Sequence, residues 1–220
     1  MSNVTTENKN RVKRRPDRGH YDTATIYQII DESMLCHIGF VQDGQPFVIP
    51  ALHARKDDQL LVHGASASRL LKHIQEGNAV SVSITIIDGI VLAKTVFNQS
   101  VNYRSVVVFG KGRLIEDEDE KIQALEHLTE RLMPGVWEAA RKPSTTELKA
   151  TSIVSISIES ASAKIRSGSP KDDLEDQGLP AWAGVLPIRQ VIGAPIGADY
   201  TDNSTPIPDY VTNYILKKNQ

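Results

Sequence analysis

Short alternating apolar runs, punctuated by Asp-Gly dipeptides, recur through the chain and leave few folds open to it. Leu35 to Gln42 and Pro46 to His53 flank Asp43-Gly44, whose residues both tolerate the positive φ of a tight hairpin. Gln59 to Gly64 reads as a third strand after the polar turn Lys56-Asp57-Asp58. Ala79 to Ile87 and Ile90 to Phe97 are expected as two strands joined at Asp88-Gly89, with Val101 to Ile115 following. In Ser152 to Glu159, Val154, Ile156 and Ile158 alternate with Ser155 and Ser157, the pattern of a half-buried antiparallel strand.

Helices interrupt these strands. Asp22 can cap one carrying Ile26, Ile29, Ile30 and Met34 at helical spacing, and Ser68 to Glu76 forms another that Gly77 ends. The acidic run Glu116 to Glu120 opens a third, with Ile122, Leu125, Leu128 and Leu132 on one stripe and Pro134-Gly135 as its stop. A further helical stretch is expected over Val136 to Arg141, and a last amphipathic turn or two around Tyr210 to Ile215. Strands joined by hairpins predict a mainly β chain with α (α+β), an antiparallel barrel with flanking helices. No Gly-x-Gly-x-x-Gly follows a strand, so a Rossmann site is not expected.

Three segments are expected: a basic, flexible arm over 1–20, a barrel domain over 21–190, and a C-terminal extension over 191–220 packing on the barrel or a partner subunit. The arm holds Lys9, Arg11, Lys13, Arg14, Arg15 and Arg18 against Asp17 alone, but no aromatic side chain interleaves them for base stacking. With 25 basic and 27 acidic residues the net charge is −2, which recruits neither nucleic acid nor an anionic membrane. Cys36 is the single cysteine, so no internal disulfide forms. No apolar run approaches the roughly 20 residues of a membrane span. A cytoplasmic protein is expected.

Two blocks carry the chemistry. In His63-Gly64-Ala65-Ser66-Ala67-Ser68-Arg69, a strand ends and a helix begins. Gly64 and Ala65 let a ligand approach the backbone, Ser66 and Ser68 can donate to phosphate oxygens, and Arg69 can make a charged bidentate contact. The plainer alternative is that Ser66 or Ser68 caps the helix and Arg69 faces solvent. In the second block Asn102, Tyr103, Arg104 and Ser105 enter the apolar strand Val106-Val107-Val108, offering donors and acceptors to a heteroaromatic edge. Lys164 and Arg166 project from one face of an extended segment and could meet an anion or solvent. Trp182 could stack on a cofactor or pack the barrel's end.

Among the histidines, His53 and His63 are candidates for hydrogen bonding beside a cofactor. No His-x-x-x-His or Cys-x-x-Cys spacing is present, so no metal site is expected. Cys36 sits among apolar neighbours and reads as inert packing. No Gly-x-Ser-x-Gly elbow supports a hydrolytic triad.

In order and spacing, these residues resemble the FMN-binding split-barrel superfamily of pyridoxamine 5′-phosphate oxidase, and most closely its nitroimidazole-reductase-like branch. The likeness runs from about Tyr21 to Pro187 through Gly44-Gln45-Pro46-Phe47-Val48-Ile49-Pro50, the His63 block, Asn102 to Gly110, Ser162 to Gly168 and Trp182-Ala183-Gly184-Val185. It implies FMN lying along Val48, Ile49 and Pro50, with its phosphate on Ser68 and Arg69. It also implies a homodimer with FMN at the subunit interface, and a flavin-dependent oxidoreductase acting on a small molecule. Leu70 stands where the oxidase has Lys, and Ser105 where it has Gln, which turns the expectation away from vitamin B6 chemistry. A non-catalytic flavin store or sensor is the alternative. A haem-binding split barrel is another, and the phosphate-suited Ser68-Arg69 pair speaks against it.

Overall fold

The computed structural model describes residues 8–202 and 204–219. β1 (Gly19–His20) and α1 (Thr23–Glu32) precede a hairpin of β2 (Leu35–Gln42) and β3 (Gln45–Leu52). β4 (Ala54–Lys56), β5 (Gln59–Ala65), α2 (Arg69–Gln75), β6 (Ala79–Leu92) and β7 (Ser100–Leu114) follow. α3 (Glu118–Leu132), α4 (Val136–Ala139) and α5 (Thr145–Ala150) lead into β8 (Thr151–Ser157), β9 (Ser160–Arg166), β10 (Gly184–Pro187) and α6 (Asp209–Lys218).

The local chemistry behaves as the residues dictate. Asp43 and Gly44 take φ of 53° and 75°, the paired positive values that bend β2 into β3. Asp22 accepts from Thr25 N at 2.8 Å to start α1, and Asp117, inside the acidic run, accepts from Glu120 N at 2.8 Å to start α3. Gly77, at φ +78°, ends α2.

The strands run β3-β2-β6-β7-β8-β5-β4, with β9 also on β7, β10 on β6 and β1 on β9. Every pair is antiparallel. β7 is long enough to serve two sheets, pairing with β9 from Tyr103 to Phe109 and with β8 from Gly112 to Leu114. β3 and β5 come close without a shared ladder, so the barrel is split along that seam. Ile38, Val82, Ile84, Val106, Val108 and Ile156 fill the interior, closed by Ile26, Ile29 and Ile30 of α1 and by Leu71 and Ile74 of α2. Burial pushes the Cys36 thiol in this core up to about 12, so it carries no thiolate at neutral pH. A smaller core of Ala54, Leu61, Ile115, Leu128 and Ile153 lies under α3 on the other face of β5 and β8.

Three expectations are corrected. Asp88-Gly89 is not a hairpin, because β6 runs through it as one strand with a bulge between Ile87 and Gly89. Gly89 is there for close approach: a Cβ would stand 2.9 Å from Leu186 O of β10. The chain instead reverses between Leu92 and Ser100, through a single helical turn at Val96–Asn98. β8 is buried on both faces from Ile153 to Ile156, since α3 covers the side that carries Ile153 while Ser155 donates to Gln59 Oε1. β4 and α5 were not anticipated, although Ser144 and Glu147 form a reciprocal capping box at the start of α5.

Of the expected basic arm, residues 8–20 are described, and they lie along β9. Asn10 is buried and donates to Ala161 O at 2.9 Å, Val12 N donates to Tyr21 Oη at 2.9 Å, and β1 pairs Gly19 with Lys164. Residues 191–208 carry no helix or strand among those described, and α6 follows. No described helix is long and apolar enough to cross a membrane.

Candidate functional site

The seam between β3 and β5 is where the first predicted block opens. β5 ends at Ala65, the chain turns with Ser68 N donating to Ala65 O at 2.9 Å, and α2 begins at Arg69. A cleft of about 300 Å³ results, lined by Ile49, Pro50, Leu52, His63 and Ser68. Residues far apart in sequence, Ile49-Pro50 with His63 and Ser68, thus share one cleft. Ser68 is the N-cap by position, yet its hydroxyl makes no capping bond and is available to a ligand. The Ser66 and Ser68 amides are already spent on Ala150 O and Ala65 O. An anion here would therefore be met by the Ser68 hydroxyl, by Arg69 and by the remaining first-turn amides of α2.

Arg69 lies over the Phe47 ring at 4.5 Å from its centroid, which orients the guanidinium without neutralising it. Leu70 is in the core, so the position that holds Lys in the oxidase cannot present a cation here. Val48 is on the outward face of β3 and 68% exposed. A larger open hollow of about 540 Å³ lies at Phe40, Phe47, His73 and Phe109 and includes Val48 alone of the predicted residues.

A second cleft of about 240 Å³ adjoins the first, and His63 and Leu52 line both. Its other walls are Met34, His53, Leu128 and Leu132, with Arg131 at its edge. Sequence reasoning singled out His53 and His63 but missed the apolar walls, which the helical stripe of α3 supplies. His53 is buried, with Nε2 3.1 Å from Ile30 O. Since a carbonyl only accepts, Nε2 carries the proton, and Nδ1 is a buried lone pair with no partner among the described residues.

Burial holds the His53 pKa below the usual imidazole value, and the Ile30 carbonyl offsets only part of that. The unfolded chain therefore binds this proton more readily than the native one. The expected result is that stability falls as pH drops through about 6.5. Urea midpoints between neutral and mildly acidic pH check this, and His53→Gln should flatten the slope.

The second block does not join the first within one chain. Ladder partners place Pro50, His37, Ser83, Val107 and Ser162 in one row across β3, β2, β6, β7 and β9. Three strand spacings separate β3 from β7, the strand of the second block, roughly 14 Å along the sheet. Tyr103 and Ser105 stand opposite Arg166 and Lys164, and Ser105 Oγ donates to Lys164 O at 3.3 Å. Asn102 donates to Gly168 O at 3.1 Å and accepts from Arg166 Nη1. Trp182 is 63% exposed and packs on Gly184, where a Cβ would meet its ring at 2.5 Å. It belongs to the β10 end of β6, not to the seam cleft.

Arg104 departs furthest from the expectation of a cofactor contact. It occupies the inward row, opposite Ile86 and Ile165, and is chelated by two carboxylates. Nε reaches Asp88 Oδ2 at 3.0 Å, Nη2 reaches Asp88 Oδ1 and Glu32 Oε1 at 2.7 Å each, and Nη1 also binds Glu32. These bonds raise its pKa well above the normal guanidinium value. Already neutralised, Arg104 pins the end of α1 to the β6 bulge. Arg104→Ala should lower stability by roughly 1–3 kcal/mol, between the exposed and buried limits for ion pairs, as a shift in urea midpoint.

The family model described as pyridoxamine 5′-phosphate oxidase matches residues 22–165. The chain belongs to the pyridoxamine 5′-phosphate oxidase family. Within the family it is similar over almost its whole length to the flavocytochrome Anf3 of Azotobacter vinelandii, at 36% identity, TM-score 0.89, and 94% and 96% of the two chains covered. It is likewise similar to an FAD and haem binding protein of Mycobacterium smegmatis, at 33% identity, TM-score 0.85, and 89% and 96% coverage. A Bacteroides thetaiotaomicron protein named for 5-nitroimidazole antibiotic resistance shares the fold at 21% identity, TM-score 0.57, over 67% of this chain and 86% of its own. No curated protein sequence matches the chain at a significant level. The split barrel expected from the sequence is thus the fold of this family member.

Proposed function

We propose that this chain is a flavin- and haem-binding oxidoreductase, with the flavin along the β3 side of the seam and the haem in the apolar cleft beside it. The carrying observation is that two clefts share His63 and Leu52 as a common wall. One offers the Ser68 hydroxyl with Arg69 nearby, suited to a phosphate. The other offers imidazole, thioether and leucine side chains, the surroundings of an iron porphyrin. The orphaned Nδ1 of His53 and the exposed ring of His63 fit such a group. His63 is the candidate iron ligand, and His53, fixed by Ile30 O, lines the same cleft. Arg131 is placed to meet a propionate. The near-full-length likeness to two proteins named for both functions supports this reading. Bound together, a flavin and a haem supply two-electron and one-electron chemistry, while the protein supplies orientation and electrostatics.

The flavin site is completed by a second copy of the chain. The second block, on β7, lies three strand spacings from β3, roughly 14 Å along the sheet and beyond the reach of one flavin ring. The outward sheet face between them exposes Leu35, Val41, Val48 and Ile87, an apolar surface suited to a partner.

The test is the absorption spectrum of the purified protein after reconstitution with a flavin and haemin, with its mass in solution measured by light scattering. A flavin band pair together with a Soret band, in a dimer, is expected. A protein that stays colourless sinks the proposal. Flavin bands that no electron donor bleaches would reduce it to a flavin store.

A further inference from the structure

Arg166 is only 8% exposed, yet among the described residues no carboxylate pairs with it. Its hydrogen bonds go to neutral acceptors, the Asn102 side-chain oxygen and Gly168 O. These hold the guanidinium in place but do not cancel its charge. Arg104, on the adjacent strand, is by contrast closed off by two acids. A buried unpaired cation is costly, and the cost points to a missing anion.

Two further cations converge on it. Lys164 projects from the same face of β9, beside Ser105. Arg18 closes the turn Pro16–Arg18 just before β1, and β1 sets Gly19 opposite Lys164. Arg18 therefore comes to the end of β9, within reach of Arg166. Burial first, and then the charge of Arg18, lower the Arg166 pKa from its usual value. The nearby acids are committed elsewhere: Asp17 pairs with Arg15 at 3.2 Å, Asp22 caps α1, and Asp172 accepts from the amides of Lys94 and Thr95. Among the described residues none of the three cations has an acidic partner. Three like charges brought together by the fold repel one another unless a multiply charged anion joins them.

We infer that Arg18, Lys164 and Arg166 form a binding site for the diphosphate group of a dinucleotide. This rests on the flavin reading for its biological sense, but not for its chemistry. A diphosphate matches three cations better than the single phosphate that Ser68 and Arg69 suit, and Tyr103, opposite Arg166, flanks the position with a hydroxyl. The group can come from the ADP half of FAD supplied across a dimer, or from a reduced nicotinamide dinucleotide acting as electron donor. Either source gives the ordered N-terminal segment a task, since β1 exists to deliver Arg18 to β9.

The full-length protein is titrated with inorganic pyrophosphate by calorimetry, beside Arg18→Ala and Arg166→Gln. Binding by the wild type, weakened about 10- to 100-fold in each variant, is expected for loss of a charged contact. Arg18→Ala leaves the core intact, so it decides the matter even where Arg166→Gln unfolds. Titrations with FAD, FMN and NADH separate the sources. Loss of a preference for FAD over FMN in Arg18→Ala identifies the cofactor, and loss of NADH binding alone identifies the donor. Equal pyrophosphate affinity in the wild type and Arg18→Ala, or no pyrophosphate binding at all, overturns the site. A wild type that takes up no flavin but binds pyrophosphate through these residues would remove the proposed function and leave this site standing.

Discussion

Replacing Gly110 by alanine is expected to cost the protein most of its stability. Gly110 sits on β7 where that strand passes from β9 to β8, directly opposite Val80 on β6. A Cβ there would lie 1.8 Å from Ser157 O, a backbone atom at the end of β8. A flexible side chain could move aside, but a carbonyl at the turn from β8 to β9 cannot move without disturbing both ladders. The penalty should exceed about 4 kcal/mol, the range reached only by severe steric or packing faults. Domains are commonly stable by only about 5–15 kcal/mol, so loss of soluble yield or a collapse of the urea midpoint is the expected reading. Gly178→Ala is the control, because nothing lies within 4 Å of its Cβ position, and it should stay within about 0.5 kcal/mol of wild type. A Gly110→Ala protein as stable as the control would mean that β7 and β8 part easily at this crossing.

The second large effect is expected at His63. Its imidazole is exposed on the wall that divides the two seam clefts and plays no part in the buried core, so His63→Ala should fold normally. On the proposed assignment haem affinity should fall by more than about 100-fold, since loss of an iron ligand costs more than loss of its supporting residues. The measurement is the Soret band after haemin titration and gel filtration, with flavin uptake recorded on the same sample. Flavin retained with haem lost is the expected outcome. His53→Gln, on the same cleft wall, should weaken haem by less than His63→Ala does. An unchanged Soret band in His63→Ala would move the iron ligand to another side chain of the cleft.

The comparison with haem-binding relatives also changes how Ser68 and Arg69 are read. As a phosphate-suited pair they were expected to speak against haem, but this treats the two cofactors as alternatives. Two clefts open at the seam, one lined by Ser68 and the other by residues of α3. Ser68 lines only the first cleft, so the pair says nothing about the second.

What the sequence determined is the part governed by local rules. The Asp43-Gly44 hairpin, the caps at Asp22 and Asp117, the stop at Gly77 and the turn from β5 to α2 are each decided within a few residues. Such features depend on φ preferences and on short side-chain-to-backbone bonds. The tertiary structure decided whatever depended on a distant partner. Asp88-Gly89 carries the same dipeptide as the hairpin, yet β10 packs against it and keeps β6 straight through the bulge. Ser155 looks solvent-facing by alternation, but α3 covers that face and Gln59 accepts its hydroxyl. Arg104 and Arg166 are both cations among polar neighbours on adjacent strands. Only the folded chain gives the first two carboxylates and leaves the second with neutral oxygens, because charge neutralisation depends on which side chains arrive from elsewhere.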